Sequence, residues 1–121
     1  KTLVMFQAHC VSKVKFLNDD KIAYTTVYKK DMEQFSAGDD CMEGLTEKLR
    51  AIVTTRVAFV AKEMKSGGTK ISMRSKFADV AQICEVFNGG GHKFAAGCTI
   101  KAPVEEAVKK ILAEIKKVKQ L

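Results

Sequence analysis

Apolar residues recur at three- and four-residue intervals at Leu3, Phe6, Cys10, Val14 and Leu17, which predicts an amphipathic helix over 3–17 that Asn18-Asp19-Asp20 ends. The next segment, Ile22-Ala23-Tyr24-Thr25-Thr26-Val27-Tyr28, is dense in β-branched and aromatic residues and reads as a strand. A short helix is expected from Asp31 to Ala37, closed by Gly38. Asp40-Cys41-Met42-Glu43 has the D-x-x-E spacing of a capping box and predicts a helix from about Cys41 to Ile52.

Two strands follow at Arg56–Lys62 and Thr69–Arg74, and Lys65-Ser66-Gly67-Gly68 between them is turn chemistry, so an antiparallel hairpin is predicted. Asp79 and Gln82 repeat the capping spacing ahead of a helix that carries Val80, Ile83, Cys84 and Phe87. That helix delivers the chain to a run of glycines, after which Gly97-Cys98-Thr99-Ile100 reads as a short strand. Pro103 then opens a final helix with an apolar stripe of Val104, Val108, Ile111, Ile115 and Val118, acidic at its start and lysine-rich at its end. The expected fold is α/β: a single domain with a mixed sheet of about four to five strands flanked by helices.

At 121 residues and 46% hydrophobic content the chain can bury one core, with no room for a second domain. No apolar run approaches a membrane span, and the start carries no signal peptide, so a cytoplasmic protein without membrane contact is expected. Lys1 in place of an initiator methionine leaves open a longer natural chain. Cys10, Cys41, Cys84 and Cys98 are scattered, without a C-x-x-C pair, and are expected to be reduced apolar side chains. No zinc or other metal site is expected. The net charge of +7 permits attraction to a polyanion, but Lys109, Lys110, Lys116, Lys117 and Lys119 concentrate on one helix, where a solvated face is the ordinary explanation.

The segment Asn88-Gly89-Gly90-Gly91-His92-Lys93-Phe94-Ala95-Ala96-Gly97 carries the candidate chemistry. Glycines let successive N–H groups turn inward and let an anion approach the backbone, while His92 and Lys93 favour negative charge. It matches neither G-x-G-x-x-G nor a P-loop, so it predicts a different kind of phosphate site; the alternative is a flexible connection. Ser72-Met73-Arg74-Ser75-Lys76 ends the second hairpin strand, and alternation puts Ser72 and Arg74 on one face. Arg74 there could grip a phosphate or carboxylate through two parallel N–H bonds. The candidate phosphate-binding set is therefore Arg74, Ser75, Gly89, Gly90, Gly91, His92 and Lys93. Phe77, Phe87 and Phe94 are candidates for base stacking but are expected in the core.

Taken together, Ser72 to Lys76, Asp79-Val80 and Phe87 to Gly97 resemble the C-terminal, DHH-associated domain of DHH-family phosphoesterases. The branch most similar is the nanoRNases that also dephosphorylate phosphoadenosine phosphate; cyclic-dinucleotide phosphodiesterases and RecJ-type exonucleases share the module. Glu43-Gly44-Leu45 and Arg50 are similar to the family's upstream helix. Asn88 stands where members commonly have a fourth glycine, and asparagine tolerates the left-handed conformation. Glu47 stands where an asparagine is frequent and is assigned no role. The resemblance implies that 1–121 is a substrate-binding domain, with catalysis in an N-terminal DHH domain absent from this chain that holds paired divalent metals, usually manganese. No catalytic residue, cofactor or metal ligand is expected here, since two-metal hydrolysis needs clustered carboxylates and histidines. Expected partners are that DHH domain and a short RNA, DNA or nucleotide substrate. The alternative is a stand-alone nucleic-acid-binding module contacting phosphates through the terminal lysines.

Overall fold

The computed structural model describes residues 1–118 and shows a single mixed sheet with helices on both faces. In chain order the helices are α1 (Thr2–Ser12), α2 (Lys29–Gln34), α3 (Leu45–Arg50), α4 (Val80–Glu85) and α5 (Val104–Ile115). The strands are β1 (Lys15–Leu17), β2 (Ile22–Val27), β3 (Val57–Glu63), β4 (Thr69–Ser75), β5 (Gly90–His92) and β6 (Ala95–Ile100). The six strands lie in the order β1-β2-β3-β4-β6-β5. Only β2 and β3 pair in parallel; the other neighbours are antiparallel. A parallel pair needs a long crossover, here supplied by α2, a 3₁₀ turn at Asp39–Met42 and α3.

Alternation along the strands sorts the core into two clusters. Tyr24, Val57, Phe59, Ile71, Met73, Ala96 and Cys98 point to one face and pack with Val80, Ile83 and Cys84 of α4 and Val104, Ala107, Val108, Ile111 and Ile115 of α5. On the opposite face Val27, Ala58 and Val60 pack with Phe6 and Cys10 of α1, Cys41, and Leu45 and Leu49 of α3. This second layer covers β2 and β3 and reaches β4 through α3. The same face of β6 and β5 carries no such layer.

The β3–β4 hairpin forms as its alternation and Gly67-Gly68 predict, with Gly67 at φ 94° in the turn. Asp79 accepts a hydrogen bond from the Gln82 N–H at 3.2 Å, the expected cap of α4. Elsewhere tertiary pairing overrides periodicity. The first helix stops at Ser12, because Lys15, Phe16 and Leu17 instead pair with Tyr24, Ala23 and Ile22. Asn18, Asp19 and Asp20, all at positive φ, form the hairpin turn between these strands. The Asp40–Glu43 capping box does not form: Asp39–Met42 is a 3₁₀ turn and Gly44, at φ 80°, precedes α3. The stripe of α5 reaches Ile115, Val118 follows the helix, and Lys119 lies outside the described residues. The sheet has six strands, slightly more than the expected four to five, because the three-residue segments β1 and β5 join it at its edges. All four cysteines are free and buried.

Candidate functional site

Register across β4, β6 and β5 lines up the candidate residues. Arg74 lies opposite Ala95, and Ala95 lies opposite His92. One row further, Ser72 lies opposite Gly97, and Gly97 opposite Gly90. Residues opposite one another share a face, so Arg74 and His92 rise from the open side of the sheet on either side of Ala95. Two inter-strand steps separate their backbones by about 10 Å. The adjacent Ser72-Gly97-Gly90 row is a floor with one hydroxyl and no other side chain. Because β5 is an edge strand, its outward N–H groups are unpaired by the sheet and point sideways along its rim.

The glycines have separate duties. Asn88 takes φ 63° and Gly89 donates its N–H to the Cys84 carbonyl at 2.9 Å, while the Asn88 N–H reaches the Glu85 carbonyl at 3.1 Å. These are the two bonds of a Schellman motif, which ends α4. A Cβ on Gly89 would sit 2.3 Å from the Gly97 carbonyl oxygen and 2.5 Å from Cys98 Cβ, so this glycine is required by packing. Gly91 has φ +145°, and a Cβ there would meet the Ala95 carbonyl oxygen at 2.6 Å. Gly90 is different: a Cβ would meet nothing within 4 Å. Neither packing nor a left-handed backbone requires glycine there, and its free space lies on the open face.

The structure separates three candidates from this arrangement. Ser75 is buried and its hydroxyl donates to the Ala78 carbonyl, so it holds the β4–α4 connection instead of facing a ligand. Gly89 has already committed its N–H. Lys93 follows the strand, lies over the Phe94 ring and lines a cavity with Phe77 and Gln82 on the α4–α5 side. Phe87 packs on the core as expected, whereas Phe77 and Phe94 are exposed, Phe77 with a cation beside it in Arg56. Gly91 lies opposite Ala96, whose row faces the core, so Arg74, Gly90 and His92 are the candidates that the fold brings together on one face.

Two residues stood outside the candidate set. Glu47 of α3 accepts a hydrogen bond from Arg74 Nε at 3.2 Å, and Arg74 Nη1 donates to the Met73 carbonyl at 2.8 Å. The guanidinium is thus oriented from two sides, and its other N–H groups remain for a ligand. No local signal links Glu47 to Arg74, which are distant in sequence. Ser72 was readable, since it stands two residues before Arg74 on the same strand. Among the described residues no three His, Cys, Asp or Glu side chains converge on a point that could hold a metal ion. The divalent metals implied by the resemblance have no donor set among these residues.

A family model for the DHHA1 domain matches residues 19–120. The chain belongs to the DHHA1 domain family. Solved structures share the fold. An exopolyphosphatase-related protein from Bacteroides fragilis superposes with a TM-score of 0.89 at 24% identity, over 97% of this chain and 35% of that one. The pGpG-specific phosphodiesterase PggH from Vibrio cholerae does so with a TM-score of 0.64 at 13% identity, over 96% of this chain and 38% of that one. The C-Ala domain of alanyl-tRNA synthetase from Aquifex aeolicus matches with a TM-score of 0.59 at 19% identity, over 84% of this chain and 95% of the domain. At these identities the likeness concerns the fold alone. This DHHA1 domain spans little more than a third of the first two proteins. Among its described residues no helix is long and apolar enough to cross a membrane.

Proposed function

We propose that this DHHA1 domain is the substrate-holding part of a DHH-family phosphoesterase that hydrolyses short oligonucleotides or phosphorylated nucleotides, of the nanoRNase and phosphoadenosine phosphate phosphatase type. Hydrolysis itself belongs to a separate N-terminal DHH domain with divalent metals, manganese by the resemblance, in a cytoplasmic enzyme. The observation that carries the reading is the row Arg74-Ala95-His92 beside a floor of Ser72, Gly97 and Gly90. A phosphate seated over Ala95 and Gly97 would take N–H bonds from Arg74 and His92, and the Gly90 backbone could approach it without steric opposition. A neighbour named as a pGpG-specific phosphodiesterase supports a nucleotide as the ligand class.

Titration of the labelled 121-residue chain with an RNA dinucleotide and with phosphoadenosine phosphate at low salt, followed by backbone amide shifts, tests this reading. Shifts are expected at Gly90, His92 and Arg74. Arg74→Ala should weaken binding about ten-fold or more and His92→Ala several-fold, as for loss of charge-assisted bonds worth about 1.5–3 kcal/mol. Unchanged affinity in both variants removes the site. Shifts confined to Lys109 of α5 and Lys116 just after it would instead favour a stand-alone nucleic-acid-binding module.

A further inference from the structure

The open sheet face continues beyond the phosphate row. Ser72, which forms one end of the glycine floor, also lines a cavity of about 550 Å³ between the β3–β4 turn and the 3₁₀ turn at Asp39–Met42. That volume is in the range of small-molecule sites. Its walls include Met42 and Met64, the lysines Lys62, Lys65 and Lys70, and one acidic residue, Asp39. Lys62 is engaged with Asp39 at 3.3 Å, whereas Lys65 and Lys70 make no ion pair among the described residues. On β4 the residues Arg74, Ser72 and Lys70 alternate onto this face, so the line from Arg74 to Lys70 spans about 13 Å. Such a span suits two successive nucleotide units better than one.

We infer that this cavity is a second nucleotide subsite, in which Lys65 and Lys70 take a second phosphate and Met42 and Met64 flank its base. Methionine suits that task, since a polarizable thioether packs against aromatic faces without fixed geometry. The exposed rings Phe16, Phe77 and Phe94 are not among the cavity's walls. The ligand class is thus an oligonucleotide of at least two units lying along β4, from Arg74 toward the β3–β4 turn. This inference rests on the phosphate site proposed above.

The test compares adenosine 5′-monophosphate with 5′-phosphorylated diadenylate by calorimetric titration of the 121-residue chain. The dinucleotide should bind about ten-fold tighter than the mononucleotide. The double variant Lys65→Ala/Lys70→Ala should erase that advantage and leave the mononucleotide affinity unchanged. Met64→Ala should reduce dinucleotide affinity several-fold. Lys109→Ala/Lys110→Ala, which removes the same charge from α5, should preserve the advantage. Retention of the advantage in the Lys65/Lys70 variant, or its equal loss in the α5 variant, overturns the subsite while leaving the phosphate site standing. Failure of that first site is recognised separately: Arg74→Ala would then leave both ligands unaffected.

Discussion

At the scale of residues, neighbouring glycines are distinguished by what their missing Cβ would touch. Gly89→Ala would drive a methyl group to 2.3 Å from a backbone oxygen, so it should cost about 3 kcal/mol or more in urea unfolding. Gly90→Ala meets open space and should change stability by less than about 1 kcal/mol, yet weaken nucleotide binding, because the methyl group fills the approach to the floor. Equal ligand affinity for Gly90→Ala and the wild type would sink the role given to that backbone. Glu47 supplies a second contrast. It orients Arg74 but also sets a negative charge beside the phosphate position, with its side chain 44% exposed. Glu47→Gln should tighten mononucleotide binding about three- to ten-fold at low salt, as expected from removing a screened repulsion on the order of 1 kcal/mol. Weaker binding would show that orientation outweighs repulsion.

At the scale of elements, the buried carboxylate of Asp31 ties α1 to the start of α2. It accepts hydrogen bonds from His9 and Lys13 of the α1 segment and from the Tyr28 N–H, each at 2.8 Å. Burial pushes its pKa up, but the bonds from Lys13, the Tyr28 backbone and His9 outweigh burial and hold it at about 2. Since the folded value lies below the unfolded one, the stabilisation is complete above the ordinary carboxylate range and is lost as pH falls toward 2. It amounts to about 2 kcal/mol. Asp31→Asn should therefore lower stability at pH 7 and flatten the decline between about pH 5 and pH 2 in denaturant titrations. An acid limb as steep as that of the wild type would assign the acid sensitivity to other groups. At the same scale, the Asp79 cap and the β3–β4 hairpin were legible because their partners are a few residues apart. The end of α1 was not, since the i, i+3, i+4 spacing runs on through Val14 and Leu17 while β2 recruits Lys15 to Leu17 from outside that window.

At the scale of the whole molecule, one sheet separates two apolar layers of unequal extent. Both layers share β2 and β3, so neither should unfold alone. Leu49→Ala under α3 and Ile111→Ala under α5 should each cost about 2–5 kcal/mol, and circular dichroism and amide exchange should report a single transition in both variants. Separate transitions would divide the domain into two cooperative units. The shorter layer ends over β4, where Glu47 of α3 meets Arg74, and leaves β6 and β5 open on that face, so that Arg74, Gly90 and His92 line up at its margin. The sequence by itself determined the α/β class, the glycine-histidine segment, and Arg74 with Ser72 on one face. Those features depend on periodicity, turn chemistry and motif, all carried by residues close in the chain. Long-range packing alone settles that Gly89 closes a helix, that Ser75 and Lys93 stand apart from the Arg74–His92 row, that Glu47 holds Arg74 and that a cavity adjoins the floor. Each depends on how β5 registers on β6, β6 on β4 and α3 over β4, and such long-range pairings leave no mark within a local window of the chain.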